Sequence, residues 1–437
     1  MNDAAPPAQV GIVGGGYAGM AAAVTLARRG VRVAVYEAAR QLGGRARSVV
    51  RNEHKLDNGQ HILIGAYRET LALIAEVGRH ADPLMRIPLE WTVLPEFAMR
   101  AARLPAPWHL AVGLLRAKGL SPAARVACVQ FMAWAQRARF RLARDTTVAE
   151  LLASHRQHAS AIRYLWEPLC VAALNTPLAQ ASAQVFLNVL RDGLASERSA
   201  SDLLLPRIDL GALFPEPAAD YVRSRGGEVR LGAAVARIEP DAGGFTLHST
   251  NGPMHVRCLI VATQPTRVTA LLGHMGPLAS DLAPIAQMTY QPIVTIYAQY
   301  AASPARSTAM LGSSGGTTQW LFDRGAITGQ RGLLAAVISA RARDRLTSHD
   351  ALARHVQDEI AGVHPDLGPA QWCQVIEEKR ATFACVPGMK RAASITAVPR
   401  LFLAGDYTEP DYPATIEAAV RSGLRCAAAA HEALATG

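Results

Sequence analysis

Residues 9–37 read QVGIVGGGYAGMAAAVTLARRGVRVAVYE, and this stretch decides the fold. Residues 10–13 are a short apolar run of strand type. Gly14-Gly15-Gly16-Tyr17-Ala18-Gly19 then fits G-x-G-x-x-G, and an Ala- and Leu-rich helix runs to Arg29, where Gly30 stops it. Residues 31–36 form a second apolar strand, and Glu37 ends it. Strand, glycine turn, helix, strand and acid make a dinucleotide-binding βαβ unit. Gly14 permits the tight turn, Gly16 lets the backbone approach a pyrophosphate, and Gly19 lets the helix pack close to the strand. The first turn, with Tyr17 and Ala18, offers free N–H groups and the positive end of the helix dipole to phosphates. Glu37 lies 18 residues beyond Gly19 and can accept hydrogen bonds from both ribose hydroxyls.

The 437 residues suffice for about two domains, and half of them are hydrophobic, so a large core is available. The six cysteines (128, 170, 258, 373, 385 and 426) show no C-x-x-C pair and no metal-ligand spacing. That suits free thiols in a reducing compartment, with no metal site expected. The opening MNDAAPPAQ lacks the basic and apolar regions of a secretory signal, and no apolar run is long enough to span a bilayer. The expected location is cytoplasmic, at the inner face of a membrane.

Outward from Glu37, Gly43-Gly44-Arg45 follows at short spacing. Two glycines bring backbone near a ligand, and Arg45 can neutralise a phosphate. In Asp57-Asn-Gly-Gln-His61, Gly59 suggests a turn, and Gln60 and His61 can point at a bound ring. Residues 68–79 read as an amphipathic helix and 88–99 as strand-like. Residues 97–144 hold nine Lys or Arg and no Asp or Glu, so nearly the whole net charge of +10 lies there. Apolar runs and Trp108, Phe131 and Trp134 fall between those charges. A basic, Trp-containing helical segment suits an anionic membrane surface or a helical cap with a solvated basic face. It suits nucleic acid poorly, because no aromatic platform accompanies it.

Residues 145–205 read as helical. Within them Trp166-Glu-Pro-Leu-Cys-Val-Ala-Ala-Leu-Asn-Thr-Pro177 offers an apolar wall with one or two amide handles. Helix 213–225 and strand 228–238 follow, with Val235 near the strand's middle. Asn251-Gly252 signals a hairpin between 244–249 and 255–261. Strands are expected at 291–300, 332–340 and 371–377, a helix at 349–361 and a loop at 301–318. The apolar strand at 400–404 leads to Gly405-Asp406-Tyr407, and Pro413-Ala414-Thr415-Ile416 opens a last helix, 414–430.

The pairing of the glycine motif with Gly43-Gly44-Arg45 resembles the flavin amine oxidase and phytoene desaturase superfamily. The run D-N-G-Q-H-x-x-x-G-A-Y from Asp57 and the run from Trp166 to Pro177 resemble one branch of it, the hydroxysqualene dehydroxylases. The resemblance covers nearly the whole chain. It implies a Rossmann-like FAD-binding domain of the GR2 type, α/β in class. That domain comprises residues 1–95, 206–285 and 390–437, and a substrate domain of mixed sheet and helices, 96–205 and 286–389, is interleaved with it. It implies non-covalent FAD touched by the backbone at Val235, by Gly405 and Asp406 along its middle, and by Ala414, Thr415 and Ile416 under the ring. It implies reductive removal of a hydroxyl from a triterpenoid in squalene and hopanoid synthesis, and contact with upstream enzymes of that pathway. His61, Asp57, Glu167 and Tyr407 are the candidate proton donors. A carotenoid desaturase, an amine oxidase and a flavin-free prenyl carrier are the other readings of this fold. The retained glycines, Glu37, Arg45 and Asp406 speak against the carrier.

Overall fold

A computed structural model of the chain describes residues 8–51, 54–340 and 348–436. Residues 1–7, part of the segment read above for a signal, lie outside that range. Strand Val10–Val13, helix α1 (Tyr17–Arg28) and strand Val33–Tyr36 form the expected βαβ unit. They nucleate a five-stranded parallel sheet in the order Glu228–Arg230, Val33–Tyr36, Val10–Val13, Cys258–Val261, Leu401–Leu403. Four of its strands are buried on both faces, which is why they read as continuous apolar runs, and the edge strand Glu228–Arg230 is part exposed. The C-terminal helix, Ile416–Ala435, packs on α1 so closely that a Cβ at Gly423 would collide with the Ala18 backbone. Both ends of the chain therefore build one layer.

A seven-stranded sheet forms the second body, in the order Trp372–Phe383, Tyr290–Gln299, Leu333–Ser339, Trp320–Asp323, Met310–Gly312, Glu90–Val93, Phe97–Arg100. Its neighbours are antiparallel except where Gly312 meets Val93. Helix α2 (Arg68–Val77) belongs with the cofactor sheet. Helices α3 (Trp108–Leu115), α4 (Pro122–Arg137) and α5 (Glu167–Leu174) cover the second body.

Several elements differ from the sequence reading. The strand expected at 88–99 is a hairpin, Val93 opposite Phe97, and it lies in the second sheet. The strand expected at 228–238 is two. Glu228–Arg230 joins the parallel sheet, and Val235–Asp241 joins a separate antiparallel sheet with Gly244–Ser249 and Gly252–Val256. The Asn251-Gly252 turn stands as expected, with Ser249 opposite Gly252. Helix 213–225 breaks at Phe214 into Leu210–Leu213 and Pro215–Ser224. The expected loop 301–318 contains strand Met310–Gly312, and the strand over 371–377 runs on to Phe383.

Candidate active site

The C-terminal ends of the parallel strands are laced to one another. Gly14 N–H donates to Tyr36 O at 2.8 Å, Ala262 N–H to Val13 O at 2.8 Å, and Ala404 N–H to Val261 O at 3.0 Å. The glycine loop sits on this edge. Gly14 has φ +116, and a side chain there would strike the Ala262 carbonyl; one at Gly19 would strike the Gly14 carbonyl. Gly16 differs. A Cβ there would meet nothing closer than Gly44 Cα at 3.9 Å. Gly43 N–H donates to Gly15 O at 3.0 Å, so the two glycine turns are joined backbone to backbone. The first turn of α1 has no side-chain cap and no acid. Its first N–H groups have no partner within the helix and suit an anion. Tyr17 contributes backbone only, because its ring packs on Phe214 and its Oη donates to Leu210 O at 2.9 Å.

Glu37 accepts from Gly15 N–H at 2.7 Å through Oε2 and from Ala39 N–H at 2.8 Å through Oε1. The carboxylate keeps further lone pairs for hydroxyl donors. Arg45 is committed differently from the phosphate role expected of it. Its Nη2 pairs with Asp406 Oδ1 at 2.7 Å, and its Nη1 donates to Ala381 O at 2.8 Å. The Val235 carbonyl accepts from Arg267 at 3.1 Å. Thr415 caps the last helix, its hydroxyl accepting from Ala418 N–H at 3.1 Å, with Ala414 before it and Ile416 as the first helical residue.

Around Asp406 the hydrogen bonding is incomplete. Tyr290 Oη, Tyr407 Oη and Arg391 Nε are buried and have no partner among the described residues. The charges of both Asp406 and Arg45 act on the two phenols. Unmet buried donors are rare in finished structures. Beside the glycine turn at Gly16, where a side chain would be the first thing in the way of a ligand, they fit a large, acceptor-rich group such as a flavin dinucleotide.

The candidate acids separate clearly. Asp57 is 2% exposed, and its Oδ1 accepts from Leu210 N–H at 3.1 Å. It fastens the 48–57 hairpin to the 210–213 helix, and burial raises its pKa. His61 Nδ1 donates to Gly59 O at 2.7 Å, which leaves Nε2 as an acceptor in the neutral ring. Burial lowers its pKa, partly offset by Asp57. Gln60 is tied by its side-chain oxygen to Arg324 at 2.9 Å, and Gly59 has φ +155. Tyr407 is 1% exposed, its ring occupying the place of a side chain at Gly405. Glu167 is exposed in the first turn of α5.

The 166–177 motif plays two parts. Trp166 and Leu169 do form an apolar wall. With Leu89, Trp91, Leu110, Leu114 and their apolar neighbours they enclose a cavity of about 40 Å³ beneath α3. The amide handle, however, is not free. Asn175 Nδ2 donates to Thr382 Oγ1 at 2.9 Å, and its Oδ1 accepts from Ala340 N–H at 2.7 Å. Thr176 Oγ1 accepts from Cys385 N–H at 3.0 Å. These residues bolt α5 to the second sheet.

Tyr290, Arg391 and Glu417 were not singled out in the sequence. Glu417 is buried and accepts from Glu69 N–H, Thr70 N–H and Thr70 Oγ1 at 3.1, 3.0 and 2.7 Å, capping α2 from the first turn of the last helix. For Tyr290 the one signal was its place at the head of an apolar strand; Arg391 and Glu417 gave none.

Residues 17–431 match the family described as flavin containing amine oxidoreductase. A hydroxysqualene dehydroxylase of Rhodopseudomonas palustris is 30% identical, over 96% of this chain and 97% of its own. One from Zymomonas mobilis is 27% identical over 95% and 97%. The structure of cyclohexylamine oxidase from Brevibacterium oxydans shares the fold with a TM-score of 0.74 at 19% identity, covering 98% of this chain and all of that one.

Proposed function

The chain belongs to the flavin containing amine oxidoreductase family, and on that premise we propose that it removes the hydroxyl of hydroxysqualene reductively to give squalene. It is an oxidoreductase with FAD as cofactor. The observation that carries the substrate reading is the wholly apolar cavity walled by Trp166 and Leu169. It lies in a chain that matches hydroxysqualene dehydroxylases along nearly its full length.

Gly16, Gly19 and Gly44 would hold the diphosphate through backbone N–H groups, with Tyr17 and Ala18 in the same turn, while Gly14 and Gly43, whose N–H groups are bonded to Tyr36 O and Gly15 O, would shape the two glycine turns. Glu37 takes the ribose hydroxyls. Arg45 and Asp406 fix the middle of the cofactor, Val235 its adenine end, and Ala414, Thr415 and Ile416 the ring. No covalent attachment is assigned. When reduced, FAD supplies the hydride that replaces the hydroxyl on carbon. The protein's part is to hold that hydroxyl and keep water out while the C–O bond breaks. We assign the holding to His61, whose Nε2 would accept the hydroxyl hydrogen, and the proton to the Tyr407 phenol, which would pass it to the departing oxygen so that the hydroxyl leaves as water, and would regain it from solvent. Asp57 serves the geometry of the turn that carries His61.

The protein works at the inner face of a membrane and takes its substrate from the lipid. Leu94, Leu104, Trp108, Leu115 and Val126 are five of the nine large hydrophobic side chains exposed among the described residues. Trp108 and Leu115 stand on the outer side of α3, and Leu110 and Leu114 line the cavity from the same helix. Exposed Arg100, Arg103, Arg116 and Lys118 surround them. A cavity of about 40 Å³ holds little more than one water molecule, so α3 must shift for a C30 chain to enter. No helix among the described residues is long and apolar enough to cross the membrane.

Incubation of the purified protein with hydroxysqualene and reduced FAD, followed by lipid mass analysis, tests the reaction. Squalene, lighter by one oxygen, is expected. A product with added double bonds would identify a desaturase instead. Acid precipitation should leave the flavin in solution.

A further inference from the structure

We infer that Arg391 is the cation reserved for the negative charge that the cofactor gains on reduction, and that it thereby sets the reduction potential. The inference rests on the FAD reading above. The Arg391 guanidinium lies over the Phe383 ring, 3.9 Å from its centroid. Its other neighbours are soft or neutral. Nη1 donates to Met389 Sδ at 2.9 Å, and Nη2 to Cys385 Sγ at 3.7 Å and to Tyr412 O at 3.5 Å. Nε is buried without a partner among the described residues.

None of these groups carries a formal charge. Burial pushes the Cys385 thiol up to about 11, so it stays protonated at neutral pH. The carboxylate whose charge reaches Arg391 is Asp406, and its Oδ1 is already held by Arg45 at 2.7 Å. A buried cation without its own counter-charge is unfavourable unless an anion meets it. No described residue supplies that anion as an ion-pair partner, so the cofactor must.

Two parts of FAD could supply it, the diphosphate and the reduced ring. The diphosphate fits the open cradle at Gly16 and the free N–H groups of α1. Arg391 belongs to the other end of the site. Its bond to Tyr412 O lies three residues before Thr415, which caps the last helix. The oxidised ring is neutral. Gaining two electrons and one proton leaves it with one negative charge, so only the reduced state completes the pair with Arg391.

The test uses flavin-loaded protein with Arg391→Lys, Arg391→Gln and Arg391→Met. Met keeps an apolar stem over Phe383 if Gln does not fold. Potentials come from reductive titration against a reference dye, and oxidised FAD affinity from reconstitution of the apoprotein. Loss of the charge should weaken reduced FAD relative to oxidised FAD about tenfold, which is about 30 mV for a two-electron couple. Lys should retain most of the potential, and oxidised affinity should stay within about twofold. An unchanged potential in folded, flavin-loaded Gln or Met protein overturns the inference. So does an equal loss of both affinities, which would put the charge opposite the diphosphate. A native protein that takes up no flavin overturns the cofactor reading, and this inference with it.

Discussion

Nη2 of Arg45 lies 2.7 Å from Oδ1 of Asp406, although 361 residues separate them in sequence. The pair joins the second glycine turn to the last strand of the cofactor sheet. The Asp406 side chain is only 4% exposed. Removing one member of such a pair strands the other, at about 3–5 kcal/mol for fully buried cases. Asp406→Asn should therefore lower unfolding stability by about 3 kcal/mol and also weaken FAD. Denaturant titration and flavin affinity check this. If Arg45→Met in the same chain restores none of the lost stability, the two residues do not act as a pair.

His61 gives a pH prediction. Burial holds its pKa below the ordinary 6.5, and the neutral ring donates from Nδ1 to Gly59 O. The folded state thus binds this proton less readily than the unfolded chain. The stability contribution is fully present above about pH 6.5 and fades as pH falls through the folded value. Turnover should follow the same direction, because Nε2 accepts only when unprotonated. His61→Ala should keep FAD, lose about 10²–10⁴-fold in kcat and lose the acid limb of the pH profile. A variant with the native rate, or with the acid limb intact, would hand the role to Tyr407.

Asn175 adopts φ +45 and shares its amide with Thr382 and Ala340. Asn175→Ala leaves a part-buried N–H and a buried hydroxyl without their partner and replaces a residue that tolerates the left-handed region by one that does not. A loss of about 2–4 kcal/mol in stability is expected. KM for the triterpenoid should not move in protein that remains folded. A raised KM at unchanged stability would return Asn175 to the substrate wall.

The membrane face can be probed without touching the cofactor. Arg137, Arg139, Arg141 and Arg144 are exposed. Each basic side chain near an anionic surface is worth about 1 kcal/mol and fades over a Debye length. Replacing the four by Gln should reduce co-sedimentation with anionic vesicles, as should high salt, while flavin content holds. Trp108→Ser should weaken binding at all salt concentrations. Native protein that ignores anionic vesicles at low salt would leave the basic face merely solvated.

The cofactor half was legible because its chemistry is local. Gly14, Gly16, Gly19 and Glu37 lie within one βαβ unit, and each is required by backbone geometry or by an adjacent ligand group. Distant partners were not legible. The chain changes sheets between Arg230 and Val235, and both strands share one apolar pattern, so periodicity alone sees a single strand. Asn175 looked like a substrate handle because the composition of a turn does not reveal what lies across it. Glu417 gave no signal in the sequence, yet it serves α2, 347 residues upstream at Thr70. Such roles exist only once tertiary contacts form.

The edge strand Leu401–Leu403 and the helix that follows it carry a consequence for biogenesis. A ribosome makes Glu37 early and Asp406 near the end of the chain. At about 5–20 residues per second, roughly 20–70 s of synthesis lie between them. Through that interval α1 lacks its covering helix and Arg45 has no counter-charge, and strand Cys258–Val261, once made, has an open edge. FAD can be captured firmly only after Asp406 and the helix that follows it have been made. Loss of the helix Ile416–Ala435 would then yield a colourless chain in which α1 lacks its covering layer, a surface for chaperones and proteases to recognise.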